Sequence, residues 1–366
     1  MILIILISFL ALYVGFMIWL ISGVFVQKKL PNFDFEPITF FSIIVPFRNE
    51  EHNLPNLLDS FSRLNYPRNL FEVILVDDQS DSLFEMGDFD FQVKIIANIR
   101  HSKSPKKDAI LTAIHTVSND WIVTTDADCI VSPNWLLTFD NCIQAQNTKM
   151  IVGAVNYKNE NTFLTHFQQI EFTSLQAVTM GSFGINHGFM CNGANFAYQK
   201  SFFLSLNGFR GNDHLASGDD VFLLQKALQF EPKSVVYLNQ KSNTVGTFAQ
   251  PSWRLLWHQR LRWASKATAY QSWFGFALSF IVFGCNAAFV VGFLQVVFEQ
   301  NFYKMLLFCF LTKLFFDCLL LYLYEAKQLK ISFKYLFISS LTYPFFAMAV
   351  AICSFFVKYE WKKRQF

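Results

Sequence analysis

The sequence predicts an α/β domain carried among membrane-spanning helices. Three observations lead there. Apolar residues make up 53% of the 366-residue chain, with a mean hydropathy of +0.29. They concentrate at the N-terminus and in the last third, and the middle alternates short apolar runs with amphipathic stretches. Such a composition is too apolar for an ordinary soluble protein of this length, so part of the chain meets lipid. The middle segment is long enough to bury one sizeable core of its own. The formal charge of +3 is mixed in sign along that segment and argues against nucleic-acid binding. The 45 Phe residues occur in every region without a repeat and carry no functional signal.

The first element is a membrane anchor over residues 1–27. Residues 2–26 are almost unbroken Ile, Leu, Phe, Val and Trp, longer than the roughly 20 residues a helix needs to cross the hydrocarbon layer. A cleaved signal peptide wants a basic start, a shorter apolar stretch and a small-residue cleavage site; this segment ends instead in Gln27-Lys28-Lys29. Those lysines put the following domain on the cytoplasmic side of the inner (plasma) membrane.

The second element is a domain over residues 38–250. The runs FSIIVPF, FEVILVDD, VKIIA, DWIVTTDADC and KMIVGAV are β-branched, short and bounded by polar or turn residues, as buried parallel strands are. Between them, helices are expected after Asn49 through Arg63 and from Lys106 through Val117. The alternation of strands and helices is what makes the domain α/β.

The third element, residues 251–272, mixes Trp, Tyr and Leu with Arg, Lys and His, as a helix lying in the membrane interface does. The fourth, residues 273–366, holds three apolar segments near 274–298, 302–324 and 335–357. Three crossings place the basic loop Lys327–Lys334 inside but the basic tail Lys358–Arg364 outside. One segment is therefore expected to be re-entrant or interfacial, and the last, interrupted by Ser339, Ser340, Thr342 and Pro344, is the candidate. Seven cysteines without a Cys-x-x-Cys pair argue against a zinc site or a disulfide framework.

The chemistry-bearing motifs are acidic. Asp77-Asp78 closes FEVILV and Asp126-Ala127-Asp128 closes DWIVTT, so both pairs stand at the carboxyl ends of strands, where α/β sheets place ligands. Asp126 and Asp128 are two apart, so on extended backbone they share a face, and on a turn they can pinch one cation. Carboxylate oxygens suit Mg²⁺ or Mn²⁺, which completes its shell with phosphates and water.

With IIVPFRNEE, SPKKDAI, CNGANFAY, NGFRG, SGDD and QRLRW added in order over residues 40–263, the chain resembles the family 2 inverting glycosyltransferases. It is most similar to their membrane-integrated branch, which includes cellulose and hyaluronan synthases. The resemblance implies a GT-A type nucleotide-sugar-binding domain, a Rossmann-like mixed sheet, flanked by transmembrane helices. It implies a UDP-sugar or similar nucleotide-diphosphate sugar as donor, Mg²⁺ or Mn²⁺ as cofactor, and a lipid-linked or glycan acceptor arriving from membrane lipid. It also gives roles: Pro46 and Glu50 at the nucleoside, Asp77 and Asp78 at the base and ribose or in support of the metal, Asp126 and Asp128 at the metal and diphosphate, and Gly193 and Asn195 in the sugar pocket.

Lys106 would reach a uracil carbonyl or a phosphate, although the family's preceding Gly is Pro105 here and Lys107 remains an alternative. Asp219 and Asp220 stand for the family's acidic dyad, with Asp220 the expected general base; in the alternative, Asp219 is the base and Asp220 caps the following helix. Gln259, Arg260, Arg262 and Trp263 would meet the diphosphate and acceptor. Gln259 and Arg262, three apart, share a helix face, and Arg offers a planar donor fork. His187, His214 and His258 lack ligand spacing and are read as structural.

Rival functions fit less well. A nucleotidyltransferase would carry a Gly-rich phosphate loop early, which IIVPFRNEE is not. A transporter is raised by Lys313 and Asp317 within a membrane segment, yet the pair can neutralise itself and the helices are few. An inactive glycan-binding relative would lack a catalytic carboxylate, and none is missing. A processive polysaccharide synthase shares QxxRW, but the chain is short for its own export channel, which favours single-sugar transfer.

Overall fold

The computed structural model describes residues 2–27, 31, 35–158, 162–212, 215, 217–265, 271–325 and 335–357, and by backbone alone 326–327, 360–361 and 364–365. Lys28, Lys29, Asp213, His214, the basic loop residues 328–334 and the tail lysines Lys358, Lys362 and Lys363 lie outside them. The chain forms two compact units: residues 29–158 with 190–248, and residues 1–28 with 159–189 and 249–366.

The first unit is built on a seven-stranded sheet. Its strands are β1 (Phe41–Phe47), β2 (Phe71–Asp77), β3 (Gln92–Ala97), β4 (Trp121–Thr124), β5 (Met150–Gly153), β7 (Phe196–Gln199) and β8 (Val235–Leu238), in the order β3-β2-β1-β4-β7-β5-β8. The first four are parallel, and Phe47 pairs with Asp77 and Ile44 with Thr124. β7 runs antiparallel to both β4 and β5, while β5 and β8 are parallel. Ile43, Ile44 and Val45 are all fully buried, which requires cover on both faces and explains the unbroken apolar runs. The helices α2 (Leu54–Ser62), α3 (Pro105–Thr116), α4 (Trp135–Ala145), α6 (Lys200–Ser205) and α7 (Asp219–Phe230) accompany the sheet, with a small parallel pair, β6 (Val155–Lys158) and β9 (Val245–Phe248).

The helix expected after Asn49 begins only at Leu54. Asn49 has φ +52, a left-handed conformation that Asn tolerates and a helix does not. Pro55, lacking an N–H, fits the first helical turn.

The second unit is helical. It comprises α1 (Ile2–Val26), α5 (Phe163–Gly184), α8 (Trp253–Ala264), α9 (Trp273–Phe298), α10 (Phe302–Lys327) and α11 (Leu336–Cys353). Among the described residues, α1, α9, α10 and α11 are long and apolar enough to cross a membrane. α11 is continuous through Pro344. The Thr342 hydroxyl donates to the Ile338 carbonyl at 2.9 Å, and Ser and Thr hydroxyls of this kind help make a proline tolerable in an apolar helix.

α5 interrupts the stretch 38–250 and groups with the helices. Where α1 and α5 cross, only glycine fits: a Cβ on Gly23 would overlap the Gly181 carbonyl, and one on Gly184 the Gly23 carbonyl. Small residues let helix backbones approach this closely. Lys313 and Asp317 do neutralise each other, at 2.6 Å on α10, and the Tyr13 hydroxyl donates to the same carboxylate.

Candidate active site

The sheet gathers the acidic motifs at one edge. β1, β2 and β4 end there, and because β7 is antiparallel it begins there, with Phe196 opposite Thr124. The residues before β7 are thereby delivered to that edge, and Gly193 comes beside Lys106, the partner of Asp126. The Thr124 hydroxyl donates to the Gly193 carbonyl at 2.8 Å and fixes this approach.

Asp126 and Asp128 lie on a tight turn closed by the Cys129 N–H donating to the Asp126 carbonyl at 3.1 Å. Both carboxylates are partly exposed, whereas Ala127 and Cys129 between and after them are buried. The Cys129 thiol, shut from water and facing Asp128 and Asp126, is held well above its usual pKa and behaves as a packed apolar group.

Lys106 rather than Lys107 reaches this turn. Its Nζ lies 2.6 Å from Asp126 Oδ1 and 3.5 Å from Asp219 Oδ2. Burial works against the ammonium, but the carboxylates of Asp126, Asp219 and Asp220 outweigh it, so its pKa stands above the usual lysine value. Lys107, 1% exposed, turns the other way and donates to the carbonyls of Asn212 and Leu215 at 2.5 and 3.0 Å. It anchors the chain ahead of α7.

α7 opens with Asp219 and Asp220 after Gly218, whose φ of +84 needs no Cβ. Asp219 is buried beside Lys106. Asp220 is more exposed, and its carboxylate accepts from the Gly193 N–H at 2.8 Å and from the Val221 N–H at 2.7 Å. The second contact is of the helix-capping kind. A Cβ added to Gly193 would lie 3.2 Å from both Lys106 Nζ and Asp219 Oδ2, so bare backbone borders the acidic dyad.

The turn after β2 is braced by Asn98 and Arg100, which the sequence motifs do not mark, and by Arg48 of IIVPFRNEE. Asp78 is buried and accepts from Asn98 Nδ2 at 2.7 Å and from Arg100 at 3.2 Å. Asn98 also donates to the Pro105 carbonyl, one residue before Lys106. Arg48 donates to the carbonyls of Asp78 and Gln79. Asp77 accepts from the Ser80 N–H and hydroxyl at 3.0 and 2.6 Å, closing the turn. Pro46 lies in β1 opposite Val76, and Glu50 accepts from Asn53.

Asn195 is fully buried, and its amide is spent inside the protein. Nδ2 donates to the carbonyls of Ala154 and Asn243, and Oδ1 accepts from Trp135 Nε1 at 2.9 Å. It braces the Gly193 turn and does not project toward a sugar. Asn195→Ala would strand two buried partners, the Asn243 carbonyl and Trp135 Nε1, at about 1–3 kcal/mol for each one left unsatisfied, while the Ala154 carbonyl keeps the Val245 N–H. A fall of several degrees in thermal midpoint checks this, and an unchanged midpoint would contradict it.

In the helical unit, α8 carries Gln259, Arg262 and Trp263 with Arg260. Arg260 too differs from the expectation: its guanidinium pairs with Glu171 and lies over the Trp263 ring, so its donors are turned toward the protein. His187 packs against the rings of Trp19 and Phe274, as a structural residue does.

No three His, Cys, Asp or Glu side chains converge as a metal cage among the described residues. The donor set at Asp126 and Asp128 nonetheless fits Mg²⁺ or Mn²⁺, which binds through one or two carboxylates and takes its other oxygens from phosphate and water.

Comparison with known proteins supports the assignment of the domain. Residues 42–205 match the family described as glycosyl transferase family 2. The chain is 26% identical over 243 residues to a probable glycosyltransferase, YdaM, of Bacillus subtilis (strain 168), covering 61% of this chain and 54% of that one. It is 35% identical over 98 residues to an undecaprenyl-phosphate 4-deoxy-4-formamido-L-arabinose transferase of Yersinia pestis (strain Pestoides F), covering 25% and 30%. The chain thus spans about half the length of the first of these relatives and less than a third of the second. Among solved structures, a mannosyltransferase of Pyrobaculum calidifontis in complex with GDP-Man and Mn²⁺ aligns over 97% of this chain and 99% of its own, at 13% identity and a TM-score of 0.52. The fold is accordingly the GT-A-like mixed α/β sheet.

Proposed function

We propose that this chain, which carries a family 2 glycosyltransferase domain, moves a sugar with inversion from a nucleotide-diphosphate sugar to a lipid-linked acceptor. In this reading it belongs to the membrane-integrated, cellulose and hyaluronan synthase-like branch and works at the cytoplasmic face of the inner membrane. One observation carries the proposal: Lys106, Asp126, Asp219 and the Gly193-bound Asp220 converge at the carboxyl edge of the sheet. The lipid acceptor is supported by four helices long and apolar enough to cross a membrane and by the relative named for an undecaprenyl-phosphate substrate.

Asp77 and Asp78 border the nucleoside, their turn held by Arg48 and Arg100. Lys106 neutralises charge on the diphosphate. A divalent ion held by Asp126 and Asp128 would supply Lewis-acid stabilisation of the leaving group. Asp220 takes the acceptor hydroxyl's proton as its oxygen attacks the anomeric carbon in line. Asp219 lies 3.5 Å from Lys106 and is the more buried of the two. Gln259, Arg262 and Trp263 serve the diphosphate and acceptor.

The test is release of nucleoside diphosphate from a panel of UDP- and GDP-sugars by the detergent-purified protein with Mn²⁺ or Mg²⁺. Turnover of at least one donor is expected, and binding or turnover of none would sink the proposal. Asp128→Ala is expected to weaken nucleotide binding about tenfold or more in Mn²⁺, since metal-site changes cost on that scale, with little change in EDTA. Equal loss in both conditions would contradict the metal role.

A further inference from the structure

We infer that Glu171, on α5, is a positioning residue for the QxxRW element; this rests on the transferase reading above. Its carboxylate accepts from Arg260 Nε at 2.9 Å, and both side chains are buried, 9% and 4% exposed. A charge pair this dry holds one geometry, because separating it leaves an uncompensated charge in an apolar surround.

The consequence lies in what the rest of Arg260 does. Arginine has only donors, so the NH1 group that meets Gln259 must take its amide oxygen, as it does. The Gln259 amide nitrogen is thereby left as the donor end of that side chain. The same guanidinium lies 4.2 Å from the Trp263 ring centroid, a cation–π geometry. Phe172, the residue after Glu171, also meets Trp263, its ring centroid 6.1 Å away and tilted. Glu171 therefore fixes Arg260, and Arg260 fixes the two members of the motif beside it. The chain presents Gln259 as a hydrogen-bond donor, suited to a phosphate oxygen or a sugar hydroxyl, and Trp263 as an oriented ring, suited to the apolar face of a sugar.

Two readouts test this. The first is independent of turnover: the protein is labelled with 5-fluorotryptophan, and the Trp263 ¹⁹F resonance is identified among the eight Trp signals by its loss in Trp263→Phe. Glu171→Gln should displace or broaden that resonance, and Glu171→Asp should largely restore it. The second is kcat with whichever donor the panel identifies. It should fall about tenfold in Glu171→Gln, with KM for the donor within about threefold, as for an interaction made chiefly in the transition state.

Because Glu171→Gln buries an unpaired arginine and can fail to fold, the neutral pair Glu171→Gln with Arg260→Gln is measured alongside. It should fold, since removing both charges spares the desolvation penalty, and should still show the displaced resonance and the low kcat. A folded neutral pair with the wild-type Trp263 resonance, or with wild-type kcat, overturns the inference. Failure of the transferase reading would show separately, as no donor turnover by the wild type.

Discussion

Asp220→Asn is expected to abolish transfer while sparing nucleotide binding. A positioned general base is worth about 10²–10⁴ in rate, so kcat should fall by about three orders of magnitude. Asn keeps one acceptor oxygen, enough for the Gly193 N–H at 2.8 Å but not also for the Val221 N–H at 2.7 Å, so the turn at Gly193 stays in place while the contact at the head of α7 is given up. Binding of UDP or GDP with Mn²⁺, followed by calorimetry, should change by less than about threefold. Asp219→Asn is the comparison: it removes a carboxylate 3.5 Å from Lys106 and should affect donor binding more than the chemical step. Loss of kcat in Asp219→Asn, with Asp220→Asn near wild type, would exchange the two roles and make Asp220 the helix cap.

The second large effect is on folding. Gly184→Val is expected to prevent assembly of the helical unit, because any Cβ at that position overlaps the Gly23 carbonyl and the clash is with backbone, which cannot rotate away. Overpacking in a well-filled core costs about 1–3 kcal/mol, and separating two helix backbones should exceed that. The observable is the yield of monodisperse protein on size exclusion in detergent. Gly15→Val on α1 is the control: its Cβ would meet nothing within 4 Å, and it should purify like the wild type. Equal yields from both variants would show that the α1–α5 crossing is not rigid.

Much of the sheet was legible because a strand buried on both faces must be written as an uninterrupted apolar run, and β1, β2 and β4 are. The ends of those runs marked Asp77 and Asp126. The membership of α5 was not legible. Its buried side chains include Gln168, Gln169, Thr173 and Gln176, which read as a soluble helix, and only packing with residues far away in sequence puts them inside. The choice between Lys106 and Lys107 was closed to sequence for a geometric reason: neighbours on a helix point about 100° apart, and nothing local says which direction faces the sheet edge. Glu171 and Arg100 escaped for a related reason. Each is an ordinary charged residue whose partner lies across a packed interface, with no spacing rule to announce it.

The excursion of the chain through α5 also bears on the order of synthesis. The parallel strands β3-β2-β1-β4 on one side and β5-β8 on the other are joined through β7, and β7 follows α5 in sequence. A nascent chain that has released β1 to β5 still lacks the strand between β4 and β5. It must make α5 first and only then emit the strand that completes the sheet. α1 waits longer still, since its partners α9 and α10 come after every strand of that sheet. Long-range closure of this kind is slow, so an unpaired edge persists until β7 is emitted, and a helix short of its partners persists until α9 and α10 are. Those are the two surfaces a chaperone or an insertase would meet first.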